Sequence, residues 1–107
     1  MMKHKCTFSR STRYLTRGIS ETVPLEIQIF MWSEIDKVVV AEQVDYLQVF
    51  EFKVKENHIE IEHRQEDPAY KKVHKVKKLN DYISLDQIKV FVIDDIDHST
   101  MLLSSEY

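Results

Sequence analysis

A single glycine, Gly18, a single cysteine, Cys6, and two prolines are all that this chain of 107 residues contains of those three types. One glycine cannot build a glycine-rich phosphate loop, and one cysteine permits neither an internal disulfide nor a zinc site held by paired cysteines. No His-x-x-x-His pair and no nucleophile elbow occur among the five histidines and the serines. No catalytic residue, cofactor or metal is therefore expected. Asp94, Asp95 and Asp97 with His98 are hard oxygen-rich candidates for a divalent cation. They lack the alternating acids, glycine and closing glutamate of a calcium loop, so a solvated turn is the expectation.

An apolar run of membrane-spanning length is also missing, because Glu34, Asp36 and Lys37 interrupt the longest one. The N-terminal MMKHKCTFSRSTR has no signal-peptide core. A cytoplasmic location is the expectation. No Pro-, Gly- or Ser-rich linker divides the chain, which predicts a flexible N-terminus over residues 1–11 and one domain over 12–107.

Charge is present in quantity but sorted into blocks. Residues 1–20 carry five bases and no acid, residues 21–69 twelve acids against four bases, residues 70–80 five lysines, and residues 81–107 six acids against one base. The net of −3 hides this segregation.

Helical periodicity appears in one long stretch, about 24–40, with the sequence VPLEIQIFMWSEIDKVVV from Val23. At 100° per residue Leu25, Ile29, Trp32 and Val39 lie close together, and Ile27, Met31, Ile35 and Val38 widen the apolar arc to roughly 200°. Glu26, Ser33, Glu34 and Lys37 fill the other side, Glu34 and Lys37 as an i,i+3 surface pair. Pro24 suits the first turn, with Ser20 and Thr22 as candidate caps upstream. Asp36 falls inside the apolar arc and needs a donor, and Phe30 falls on the polar side. Trp32 is expected in the core.

The strands are predicted from alternation. Thr12–Arg17 is a short strand stopped by Gly18, where a positive φ or a close approach is expected. Residues 45–54 form the strongest strand, with Tyr46, Phe50, Phe52 and Val54 on one face. A turn at Glu56–Asn57 leads to His58–Arg64, with Ile59 and Ile61 inward and Glu60 and Glu62 outward opposite lysines. Residues 70–78 fit either a helix or a lysine-protected edge strand, of which the strand is favoured. A turn at Asn80–Asp81 precedes Ile88–Ile93, which is apolar on both faces and so reads as a central strand, with Phe91 covered. Thr100–Leu103 returns after the acidic turn. The fold class is α+β, one main helix on a mainly antiparallel sheet of five or six short strands.

Two binding hypotheses follow. In the first, the broad helix leaves Ile27, Phe30, Met31 and Val38 for contact with a protein partner or a second copy. In the alternative, Arg10, Arg13 and Arg17 act with Lys71, Lys72, Lys75, Lys77 and Lys78 on nucleic acid, Tyr14 and Tyr70 stacking on bases.

The strings Arg13-Tyr14-Leu15-Thr16-Arg17-Gly18, Pro24-Leu25-Glu26-Ile27-Gln28 with Trp32 and Ile35-Asp36, Asp45-Tyr46-Leu47-Gln48-Val49-Phe50, Pro68-Ala69-Tyr70, Phe91-Val92-Ile93-Asp94-Asp95 and Thr100-Met101-Leu102-Leu103 together resemble a family of short proteins from Gram-positive cocci such as staphylococci, streptococci and enterococci. The family is domain of unknown function number nine hundred and sixty. The resemblance spans about residues 12–107 and implies no activity. Ile96 stands where the family pattern has a glycine.

Overall fold

The computed structural model describes residues 6–77 and 83–107. Its elements run β1 (Arg13–Leu15), α1 (Arg17–Thr22), α2 (Leu25–Val40), β2 (Leu47–Val54), β3 (His58–Gln65), β4 (Tyr70–Lys77), β5 (Lys89–Asp94) and β6 (Ser99–Leu103), with 3-10 turns at Arg10–Thr12, Ile83–Leu85 and Ser104–Glu106. The six strands make one sheet in the order β1-β6-β5-β2-β3-β4. Four pairings are antiparallel, and β1 lies parallel to β6. The α+β class and the mainly antiparallel sheet are as expected, and residues 70–77 are strand rather than helix. Lys78 and the expected Asn80–Asp81 turn lie outside the described residues.

Alternation sets the faces of the sheet. Phe50, Phe52, Ile59, Ile61, Val90, Val92 and Met101 are buried and meet Ile19, Val23, Ile27, Met31 and Ile35 of the helical layer in one core. Phe8, within the residues 1–11 expected to form a flexible N-terminus, joins that core fully buried. Two anchors hold it there. Arg13 donates from Nε and Nη2 to the Phe8 carbonyl at 3.0 and 2.8 Å, and the Thr7 N–H donates to Asp94 Oδ2 at 3.1 Å.

Gly18 is not a positive-φ residue; a Cβ there would stand 2.6 Å from the Glu106 carboxylate. Glu106 accepts from Thr16 Oγ1 at 2.6 Å, the Leu103 N–H at 2.8 Å and the Gly18 N–H at 3.2 Å. These bonds, that from Thr16 foremost, hold its carboxyl below the usual range. This clasp anchors the helix α1, capped by Thr16, where the sequence predicts strand and cap residues. Consequently Ser20 and Thr22 lie inside α1, and α2 begins after Pro24 with no side-chain cap. It ends where Glu42 turns left-handed at φ 57° and the Gln43 N–H reaches back to the Val38 carbonyl.

The helix presents a different part of its apolar arc than periodicity alone favours. Ile27, Met31, Ile35 and Val38 are buried, whereas Leu25 and Ile29 remain 65% and 59% exposed. An arc of roughly 200° is wider than one sheet needs, so polar partners choose the edge that turns inward. Asp36 is one of them. Arg13 Nη2 donates to Asp36 Oδ1, Arg10 Nη2 to Asp36 Oδ2 at 3.3 Å, and the Arg13 guanidinium lies 4.6 Å from the Trp32 ring centroid. Trp32 is accordingly half-buried under an arginine rather than enclosed in the core.

The acidic segment 95–98 is a hairpin connection between β5 and β6, closed by the Asp95 N–H donating to the His98 carbonyl at 2.7 Å. Ile96 sits there at φ 63°, a conformation that a β-branched side chain opposes and glycine adopts freely. Ile96→Gly is expected to raise the melting temperature by about 3 °C, the equivalent of roughly 0.5 kcal/mol in a domain of this size. A lowered melting temperature in differential scanning calorimetry would show that the Ile96 side chain contributes more than its backbone strain removes.

Candidate functional site

Titratable groups converge between the second half of α2 and the β2-β3-β4 end of the sheet. Glu34, placed by periodicity on the solvent side, is only 3% exposed. One carboxylate oxygen is 2.6 Å from Lys37 Nζ, which stays in solvent, and the other is 3.0 Å from His74 Nε2 on β4. The surface pair expected of Glu34 and Lys37 is thus a bridge from a buried carboxylate to water. Phe30, read as a contact residue, is half-buried with its ring edge-on to His74 at 5.1 Å.

One strand inward, His63 is fully buried, stacked on Phe50 at 4.3 Å and touched edge-on by Tyr70 at 5.3 Å. Its Nε2 is 2.6 Å from Gln48 Oε1. Gln48 Nε2 donates to the Asp45 carbonyl at 2.8 Å and to Gln65 Oε1 at 2.7 Å, and Gln65 Nε2 donates to the carbonyls of Gln43 and Pro68. With both Gln48 donor contacts directed away, its oxygen must accept, so His63 carries its proton on Nε2. Its Nδ1 is buried with no hydrogen-bond partner among the described residues. Protonation would place a charge there with nothing to receive it, and burial accordingly lowers the His63 pKa from 6.5 to about 4. His74 is lowered too, chiefly by burial and against the pull of Glu34.

Beside this network Lys37, Val38, Ala41, Gln43, Gln65, Pro68, Ala69, Tyr70 and Lys72 line a cavity of about 230 Å³. Its polar groups are largely committed. Gln65 bonds at both ends to the loops around Asp45 and Pro68, and Lys37 is held by Glu34. The arrangement tethers the end of α2 to the β3-β4 turn. Among the described residues no group of three or more His, Cys, Asp or Glu side chains is placed to hold a metal ion.

The contact candidates fare differently from one another. Ile27, Met31 and Val38 are at most 5% exposed and form core, a correction that follows from which edge of the arc the sheet covers. The open apolar surface is elsewhere, on the side of the sheet away from the helices. Phe91 and Ile93 of β5, expected under a second layer, are half-exposed there, and neither belongs to the core cluster. They share that face with Leu47 and Val49 of β2, Leu102 of β6 and Tyr14 of β1, with Tyr107 edge-on to Phe91 at 5.7 Å.

The far half of the same face is charged. Arg64 bridges Glu51 and Glu62 at 2.6 and 2.7 Å, relieving a like-charge pair that stands in register across β2 and β3. Glu60, as expected, faces Lys53.

The two basic segments are not brought together. β1 and β4 are opposite edges of the sheet with four strands between them, roughly 24 Å apart at about 4.8 Å per strand. Arg10 and Arg13 are committed to Asp36, Arg17 to Glu21 at 2.8 Å, and Lys71 to Glu62 at 3.1 Å. A continuous phosphate-tracking stripe is therefore not formed by the described residues of these segments. No motif in the sequence singles out His63, His74, Gln48 and Gln65, although each lies two or four residues from an inward-facing strand residue. That parity was the available signal.

The fold recurs in a protein of unknown function from Enterococcus faecalis whose crystal structure is known. It covers 99% of this chain and 98% of its own at a TM-score of 0.80 with 18% identity. No curated protein matches the sequence. The family model described as staphylococcal protein of unknown function, DUF960, matches residues 12–106, and the chain belongs to that family.

Proposed function

We propose that this protein is a non-enzymatic binding module of the cytoplasm that acts by contact with another protein through the uncovered face of its sheet. The observation that carries this reading is the apolar half of that face. Leu47, Phe91, Ile93, Leu102, Tyr14 and Tyr107 lie side by side with no helix of the described residues over them, while Glu51, Glu62 and Arg64 of the charged half are tied up in ion pairs. Exposed aromatic and aliphatic groups rimmed by charge are the usual composition of a protein contact.

No helix among the described residues is long and apolar enough to cross a membrane, in keeping with a partner met in solution. The two basic segments, held at opposite edges and with the arginines of the first committed to Asp36 and Glu21, give nucleic acid less support than a protein. Phe91→Glu with Leu102→Glu is the test. These side chains lie outside the core, so the melting temperature should stay within a few degrees while capture of a partner from a nuclease-treated lysate, or self-association in sedimentation, is lost. Retained capture by the double variant would overturn the reading.

A further inference from the structure

We propose that the free edge of β4 binds an extended acidic segment of a partner protein, which adds to the sheet as a seventh strand. The inference rests on reading the protein as a binding module and names the chemistry of its partner. β4 is eight residues long and pairs with β3 along its whole length, from Tyr70 opposite Gln65 to Lys77 opposite His58. It closes one end of the strand order, so among the described residues nothing pairs with its other side. Half of its backbone donors and acceptors therefore face outward, a template for strand addition.

The side chains decide which strand can use that template. Lys72, Lys75 and Lys77 are exposed and make no ion pair among the described residues, while Lys71 is shared with Glu62. By register Lys71, Val73, Lys75 and Lys77 project to the open sheet face, and Tyr70, Lys72, His74 and Val76 to the helix side. A second copy of β4 laid parallel and in register would set lysine against lysine on both faces, and one laid antiparallel about His74 would set Lys71 against Lys77 on the open face, where like charges directly opposite are destabilising. An acidic strand reverses the sign. It would place carboxylates beside Lys75 and Lys77 on one face and beside Lys72 on the other, with an apolar residue against Val73, which is 51% exposed. The edge thereby rejects a second copy and selects a chain of opposite charge.

The test uses a fluorescein-labelled peptide Glu-Val-Glu-Val-Val-Glu-Glu-Val, which laid antiparallel sets glutamate opposite Lys77, Lys75, Lys72 and Lys71 and valine opposite Val73, with the full-length protein. Binding in fluorescence anisotropy is expected, with amide chemical-shift changes concentrated in residues 70–77 and affinity falling as salt is raised. Reversing Lys72, Lys75 and Lys77 to glutamate should weaken the acidic peptide about tenfold, the combined loss of three exposed ion pairs. The same variant should strengthen a lysine–valine peptide. These lysines are on the surface, so an unchanged melting temperature certifies the fold.

A proline-interrupted peptide of equal charge must bind more weakly, because it cannot supply the ladder of N–H donors. Equal binding of the two acidic peptides would reduce the effect to unspecific charge and overturn the proposal, as would absence of binding or shifts located on the Phe91 face. If the peptide fails while the Phe91→Glu, Leu102→Glu variant still loses its partner, only the edge assignment falls.

Discussion

Phe8→Ala is expected to lower the free energy of unfolding by about 3 to 5 kcal/mol, the range for deleting a fully buried aromatic ring. Against a total of about 5 to 15 kcal/mol for an ordinary domain, that is a loss large enough to shift urea unfolding to near the start of the titration. The ring is fully buried although it lies upstream of the first regular element and of the family-matched region, residues 12–106. What holds it is a relay. The Phe8 carbonyl accepts twice from Arg13, whose guanidinium also pairs with Asp36 of α2 and covers Trp32. Trp32 fluorescence is therefore a suitable reporter, since it sits in the same cluster. A change below about 1 kcal/mol would mean that the segment around Phe8 is not part of the folded core.

Acid should destabilise the protein well before its carboxylates titrate. The His63 pKa is lowered from 6.5 to about 4, first by burial and then by the positive charges of His74 and Lys72, against an opposing pull from Glu34. Between those two values the unfolded chain binds a proton that the folded chain refuses. Stability is thus complete above pH 6.5 and declines as pH falls toward 4. At about 1.4 kcal/mol per pH unit the full loss is roughly 3 kcal/mol, and His74, shifted in the same direction, adds to it. Urea midpoints measured from pH 7.5 to 4.5 read the slope directly. His63→Gln, whatever it does to absolute stability, should flatten that slope by more than half. An unchanged slope in the variant would remove His63 as its source.

Several elements were legible because their causes are local. Pro24 followed by apolar residues at helical spacing marks α2, which spans Leu25–Val40 against the expected 24–40. Alternation marks β2 and β3, with Ile59 and Ile61 inward, and the acids after Ile93 mark the hairpin into β6. The same reasoning failed at α1, where Thr16 caps a helix that the β-branched and arginine-rich string Thr12–Arg17 concealed. It failed again at Phe8, because no periodicity precedes Thr12 to flag an isolated aromatic as core. Glu34 was misplaced for another reason. A helix wheel ranks residues by polarity, and the partner that draws this carboxylate inward, His74, is forty residues away in the chain.

The sequence alone determined the α+β class, the position of the long helix, the pairing of β2 with β3 and the absence of glycine-rich and cysteine-based sites, since each depends on residue types within one or two turns or strands. Only the tertiary structure decided which side of the apolar arc of α2 is core, that Arg13 satisfies Asp36, that His63 is held neutral between Phe50 and Tyr70, and that one sheet face and the β4 edge are left uncovered by the described residues. These are long-range outcomes. A side chain's burial is set by what the sheet order places against it, and the order β1-β6-β5-β2-β3-β4 joins segments nearly ninety residues apart, such as Arg13 and Ser99, through backbone hydrogen bonds that carry no trace of residue identity.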